Sequence, residues 1–162
     1  MLRPLEQFIC DTCGDIIENL HDGYVEWEEG TDDNGHPFAR DFRIVHHRSV
    51  SPIQTREGCY TYGNSNYRHD MHLEHFLAHV HQYLTSFMDL GMVHDSDSHI
   101  GCRIVDFREF TEFVRRLTIP YYEEARRYIP EAIQEGYMQD VNEIGLYTPE
   151  YLQALINHFN PQ

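Results

Sequence analysis

The most informative stretch of the chain is Cys10-Asp11-Thr12-Cys13-Gly14, because two thiols separated by two residues in a tight turn can bind one metal ion. The glycine that follows lets the backbone fold back toward the sulfur atoms. A redox pair with this spacing usually opens a helix in a βαβ unit, and the surrounding sequence lacks that pattern. The stretch therefore predicts a zinc knuckle that binds one Zn²⁺ as a structural cofactor.

A tetrahedral zinc site needs two further ligands, and three candidates follow the knuckle along the chain. His46 and His47 end a stretch with the alternation of a β-strand, and Cys59 lies in a loop-like segment soon after. We expect Cys59 and one of the two histidines to complete the site. Such a closed Cys/His set resembles that of zinc-ribbon proteins.

A second arrangement takes the last two ligands from the first turn of a helix that follows the β-like region. The spacing of His69 and His72, or of His72 and His75, suits it. A site of this kind resembles the treble-clef combination of knuckle, hairpin and helix. Of the two arrangements we favour the first, in which Cys59 and either His46 or His47 complete the site.

The segment after the knuckle has the pattern of a β-hairpin. Gly23-Tyr24-Val25-Glu26-Trp27-Glu28 is rich in β-branched and aromatic residues, as strands are. Asn34-Gly35 is a turn signal, and residues 38–46 alternate with a period of two. Residues 50–66 are loop-like. We therefore predict a zinc-knuckle, β-rich region at about 1–66.

Helical periodicity begins at about residue 67. Asp106 is a suitable N-cap, Pro130 should break a helix in two, and Thr148-Pro149 is a start signal for the last helix. The predicted fold class is α+β, with an N-terminal zinc-knuckle β-hairpin module packed on a C-terminal bundle of four or five helices at 67–162. We expect the two regions to form one compact unit.

A histidine pair at a strand end, Asn64 or Asn66 in a loop and His72 or His75 on a predicted helix are together similar to the HNH nuclease motif, over residues 44–79. In that family these positions surround one divalent metal. The resemblance implies that His47, or its neighbour His46, is the general base, that the asparagine orients it and that the helix histidine holds the metal. Three features depart from the pattern: a histidine replaces the acidic ligand beside the base, a second cysteine pair is missing, and the chain is more acidic than a typical DNA enzyme.

Acidic residues greatly outnumber basic ones. The chain of 162 residues has 27 Asp and Glu, 12 Arg and no Lys, for a formal net charge of −15. Such a field repels phosphate backbones, so we expect no tight non-specific nucleic-acid binding. An acidic surface on a chain with eleven tyrosines instead suits a protein partner.

The sequence contains no run of 18 apolar residues and no basic segment leading into an apolar one. We therefore expect a cytoplasmic protein without a membrane span, whose four cysteines stay reduced. Cys102 is expected to be a small buried apolar residue. The acidic segment with Asp95 and Asp97 lacks the spacing of a calcium loop and is expected to be a solvated connection.

Two classes of function follow from these patterns. The first is a non-catalytic binding or regulatory protein whose zinc is structural and which acts through protein–protein contacts. The alternative is an HNH-like metal-dependent nuclease, or another hydrolase that uses the histidine cluster at His72, His75 and His79. A closed site with four protein ligands would indicate the first class, and an open site at His47, Asn66 and His75 the second.

Overall fold

The structure is a computed structural model that describes residues 1–88 and 104–161. Within these ranges antiparallel strands are followed by six α-helices, so the predicted α+β class is confirmed. The helix count is higher than expected because the first predicted helix breaks at His79. The expectations for Cys102 and for the segment with Asp95 and Asp97 lie outside the described residues.

Two short strands flank the knuckle: β1 (Phe8–Ile9) and β2 (Ile16–Ile17) pair antiparallel. The hairpin follows as β3 (Gly23–Thr31) and β4 (Pro37–His46), which also pair antiparallel. Its turn contains Gly35 with a φ of 84°, a conformation that favours glycine. The hairpin predicted from the Asn-Gly signal and the flanking strand patterns is thus confirmed.

A third strand, β5 (Arg68–His72), pairs antiparallel with β3, so the sheet order is β4-β3-β5. Sequence periodicity places these residues at the start of the helical region. In the structure they complete the sheet, and α1 (Leu73–Ala78) begins directly after them. This polar strand forms because its backbone can hydrogen-bond to β3 along its whole length. Its own sequence does not have the pattern of a strand.

The remaining helices are α2 (Val80–Met88), α3 (Phe107–Thr118), α4 (Tyr122–Ala125), α5 (Ile129–Gln134) and α6 (Pro149–Phe159). Asp106 caps α3, since its carboxylate accepts hydrogen bonds from the backbone N–H groups of Arg108 and Glu109. Thr148 caps α6 in the same way. Pro130 lies in the first turn of α5, after the predicted break.

One apolar core joins the sheet to the first three helices. Phe42 of β4 lies inside it, with its ring 5.0 to 5.2 Å from the rings of Phe87, Phe110 and Phe113. Residues on both sides of position 66 therefore share this core. Such aromatic contacts contribute to stability beyond the area that they bury.

A second cluster of buried residues lies among the last three helices. Its members are Tyr122, Ala125, Ala132, Leu152, Leu155 and Ile156.

In the ranges 1–88 and 104–161, no helix is both long enough and apolar enough to span a bilayer.

The opposite face of the central strand is polar and lies beneath the loop of residues 51–67. Glu26 is fully buried there, and its Oε1 accepts a hydrogen bond from the Thr61 backbone N–H at 2.8 Å. Glu28 accepts one from the Ser65 hydroxyl. These contacts hold the loop, which carries Cys59, against the sheet.

Candidate metal centre

Four potential ligands meet at the base of the hairpin. Cys10 and Cys13 come from the knuckle, His46 from the end of β4 and Cys59 from the loop that covers the sheet. Their ligand atoms all lie within 4.8 Å of one another. In the part of the chain that the structure describes, this is the only group of three or more Cys, His, Asp or Glu side chains close enough to hold a metal ion.

The distances between these atoms suit a tetrahedral ion. His46 Nδ1 lies 3.4 Å from Cys13 Sγ and 3.9 Å from Cys59 Sγ. Zinc bonds of about 2.3 Å to sulfur and about 2.0 Å to nitrogen, at tetrahedral angles, place the two ligand atoms about 3.5 Å apart. The two sulfur–nitrogen distances are therefore close to those of a tetrahedral zinc site, and the donor set fits this ion.

The imidazole of His46 is oriented by a backbone group. Its Nε2 lies 3.3 Å from the carbonyl oxygen of Ile16 in β2. With the proton on Nε2, that nitrogen donates to the carbonyl and leaves the lone pair of Nδ1 facing the sulfur atoms. Outer partners of this kind set the tautomer and ring orientation of metal-binding histidines.

The knuckle backbone is folded tightly around its first cysteine. The Gly14 N–H donates to the Cys10 carbonyl at 2.9 Å, and the Cys10 N–H donates to the Asp15 carbonyl at the same distance. Gly14 has a φ of 80°, a left-handed conformation that side chains disfavour. The glycine in the sequence motif is thus required by the turn that brings the two thiols together.

The third cysteine is held in place by its neighbours. Cys59 is fully buried, and its Sγ lies 3.0 Å from the hydroxyl oxygen of Ser51. The Thr12 hydroxyl, which lies in the knuckle, donates to the Cys59 carbonyl at 2.6 Å. The loop and the knuckle are therefore joined directly, beside the ligand atoms.

Burial raises the pKa of two of the thiols. Desolvation, the largest cause, raises the pKa of Cys13 to about 12, and the same cause raises the pKa of Cys59. Neighbouring thiols add to the effect on Cys13. A cation among the sulfur atoms would offset the cost of forming thiolates in this buried environment.

The structure separates the two neighbouring histidines that the sequence could not distinguish. His46 belongs to the donor group, whereas His47 lies outside it. The ring of His47 stacks on Tyr24 at 5.0 Å, and its Nδ1 lies 2.6 Å from the Ser49 hydroxyl oxygen. Successive side chains of a strand point to opposite faces, so only one of the two can face the knuckle.

The histidines of the treble-clef alternative also lie elsewhere. His69 stacks on Trp27 at 5.8 Å, and His72 Nε2 lies 2.7 Å from the Tyr24 hydroxyl oxygen. His75 contacts another histidine, His79, at 5.0 Å between ring centroids. None of these residues joins the donor group.

His47, Asn66 and His75 are not connected to one another: among the described residues, no hydrogen bond, ion pair or ring contact links them. His72, the alternative to His75 in the HNH-like motif, stacks on His47 at 5.7 Å between ring centroids. Asn66 lies in an exposed turn. Of the histidines in ranges 1–88 and 104–161, His46 alone belongs to the donor group.

A buried ionic network ties the knuckle to the helices. Arg116 of α3 is 4% exposed and donates two hydrogen bonds to Asp11, at 2.7 and 2.9 Å, and two to Glu123, at 2.7 and 3.0 Å. It also donates to the Ile9 carbonyl at 3.1 Å. Burial disfavours the charged guanidinium, but the two carboxylates outweigh this and hold the pKa of Arg116 above its usual range.

Sequence analysis did not identify the contact between Arg116 and Asp11, since the two residues lie 105 positions apart and carry no motif. Asp11 falls between the two knuckle cysteines, and Arg116 and Glu123 fall on separate helices.

Comparison of the chain with protein-family models, with curated proteins and with solved structures finds no match in any of the three.

Proposed function

We propose that this protein is a non-catalytic binding protein in which one zinc ion, held by Cys10, Cys13, His46 and Cys59, stabilises the fold. The observation that carries the proposal is the set of four converging donors. A zinc ion with four protein ligands has no open position for a reacting water or substrate. Three thiolates and one imidazole are also a donor set typical of structural zinc.

The surroundings of the donors support a structural role. Cys10 and Cys59 are both buried. Asp11 of the knuckle is hydrogen-bonded to Arg116 of α3, which is in turn hydrogen-bonded to Glu123 of α4. Zinc binding would therefore stabilise the contacts that join the β-rich and helical parts. In sites of this kind the free energy of metal binding contributes directly to folding.

The binding activity itself is inferred from the charge of the chain. A net charge of −15 creates a long-range field that accelerates encounter with a basic surface and opposes encounter with nucleic acid. We propose that the partner is a protein with a basic surface. Its association should slow as salt screens the charges.

The adjacent histidines provide a matched test of the zinc site. His46→Ala should reduce zinc content from about one ion per chain to near zero and lower the Tm by about 10 °C or more, because metal binding energy is lost from folding. His47→Ala should retain zinc and shift the Tm by no more than about 3 °C. Elemental analysis of protein purified without chelators and thermal unfolding measure both effects.

Two results would reject the structural zinc site. One is wild-type protein without any transition metal after purification in reducing buffer. The other is equal loss of metal in both histidine variants, since only His46 belongs to the donor group.

A further inference from the structure

A cavity of about 660 Å³ lies on the side of the molecule formed by α3, α5 and α6, outside the metal centre. Pockets for small organic ligands typically measure roughly 300 to 1,000 Å³. Apolar side chains form most of its wall: Ile129, Ile133, Met138, Leu146, Leu152 and Leu155. Several belong to the second buried cluster or pack on it, so this wall is part of a formed core.

The charged residues of the cavity come from one face of α3. Arg108, Glu112 and Arg115 lie four and three residues apart, a spacing that places them side by side on a helix. Asp106 and Glu109 complete this edge. An apolar wall opposite a charged edge suits an amphipathic ligand.

Every carboxylate on this edge already accepts a hydrogen bond from the protein. Asp106 caps α3. Glu109 accepts from the backbone N–H groups of Asp41 and Phe42. Glu112 accepts from the Tyr122 hydroxyl at 2.6 Å.

Three donor groups of the cavity, by contrast, have few protein partners. The exposed Arg108 guanidinium has neither an ion pair nor a hydrogen bond in the described part of the chain. Arg115 has an ion pair with Glu112 at 4.0 Å, a hydrogen bond with the Tyr122 side chain, and lies over the ring of Tyr147 at 4.5 Å. The hydroxyl of Tyr151, which also lines the cavity, is buried without a hydrogen-bond partner among the described residues. A ligand that fills the cavity and carries an acceptor would therefore satisfy the buried Tyr151 hydroxyl and offer a partner to the two arginines.

We propose that this cavity binds a small amphipathic carboxylate of the fatty-acid type. The hydrocarbon chain would lie on the apolar wall, where its burial drives binding. The carboxylate would accept charge-assisted hydrogen bonds from Arg108 and Arg115, the strongest type available to such a head group. This inference goes beyond the zinc-dependent function and does not depend on it.

The probe that tests the proposal is decanoate, with decanol and decylamine as uncharged and cationic analogues of the same chain length. Zinc-loaded protein should bind one decanoate per chain with a Kd below about 1 mM in calorimetric titrations. Arg115→Gln and Arg108→Gln should each weaken decanoate about tenfold and change decanol less than about twofold, because only the carboxylate uses the guanidinium groups. Arg127→Gln is the control, since this exposed arginine does not line the cavity.

A cavity-filling variant locates the bound chain. Met138→Trp adds volume at a half-buried wall residue and should abolish binding of both decanoate and decanol while leaving the Tm nearly unchanged. Tighter binding of decylamine than of decanoate would overturn the proposal. So would decanoate binding that survives both the arginine variants and Met138→Trp, or the absence of any binding at 5 mM probe to folded wild-type protein.

Discussion

At the scale of single residues, two glutamates on one strand show how position determines ionisation. Glu26 and Glu28 lie two residues apart on the same face of β3. Burial is the largest cause that raises the pKa of Glu26 above its ordinary 4.5. The hydrogen bond from Ser65 is the largest cause that lowers the pKa of Glu28, with further help from Arg40.

The two glutamates should contribute opposite dependences of stability on pH. The folded protein keeps the Glu26 carboxyl protonated at pH values where the unfolded chain has lost this proton. The contribution of Glu26 to the free energy of unfolding is therefore greatest below pH 4.5 and is lost as pH rises through the folded pKa. The difference in unfolding free energy, wild type minus Glu26→Gln, should therefore fall as pH rises from 4 to 7. Each unit of pKa shift corresponds to about 1.4 kcal/mol.

Glu28→Gln is the matched control for this measurement. The folded pKa of Glu28 is lowered, so its stabilising contribution is present above the unfolded pKa and is lost as pH falls through the folded value. Urea unfolding at several pH values should give a difference curve that falls above about pH 4.5 for Glu26→Gln, and one that rises up to about pH 4.5 and is then flat for Glu28→Gln. A flat curve above pH 4.5 for Glu26→Gln would mean that burial does not govern Glu26.

At the scale of elements, the contacts around Arg116 determine how the knuckle meets the helices. The guanidinium bonds to Asp11 of the knuckle, to Glu123 of α4 and to the backbone of β1 at Ile9. The same glutamate accepts from the Ile9 N–H at 2.8 Å. One buried cation thus satisfies acceptors on three separate elements. Its removal leaves the two carboxylates with only the partly exposed Arg126 as counter-ion, 3.3 Å from Glu123 and 3.7 Å from Asp11.

Arg116→Met should destabilise the protein by about 3 to 5 kcal/mol, the usual cost of breaking a buried ion pair by removing one partner. Arg127→Met, on the same half of the molecule but exposed, should change stability by less than about 0.5 kcal/mol. Urea denaturation of zinc-loaded protein measures both. A loss below 1 kcal/mol in the buried variant would show that the network does not join these elements energetically.

At the scale of the whole molecule, charge is the property that restricts function most. A surplus of 15 negative charges must be overcome locally before a phosphate backbone can approach. The arginine with the most carboxylate contacts, Arg116, is buried in the network and is not available to a ligand. The net charge is the reason why we propose a basic protein, rather than nucleic acid, as the partner.

We therefore expect no retardation of random duplex DNA at 1 μM protein and 150 mM salt. We also expect no cleavage of plasmid or single-stranded DNA with Mg²⁺ or Mn²⁺, because His47, Asn66 and His75 are not connected. Gel retardation and plasmid nicking assays test these outcomes. Metal-dependent cleavage that disappears in a folded His47→Ala variant would instead support the nuclease alternative.

Much of the local structure could be predicted because its causes lie within a few residues. The knuckle depends on a two-residue spacing and a glycine, the hairpin on Asn34-Gly35, and the helix starts on the caps Asp106 and Thr148. These interactions act between neighbours along the chain. Their physical chemistry can therefore be recognised in the sequence alone.

The tertiary structure alone decided which distant residues meet. The strand direction at the end of β4 brings His46 rather than His47 to the knuckle, and pairing with β3 makes a strand of the polar residues of β5. The Arg116 network and the cavity beside α3 depend on packing between elements far apart in sequence. Long-range pairing follows from burial and the satisfaction of polar groups in three dimensions, for which no short pattern in the chain exists.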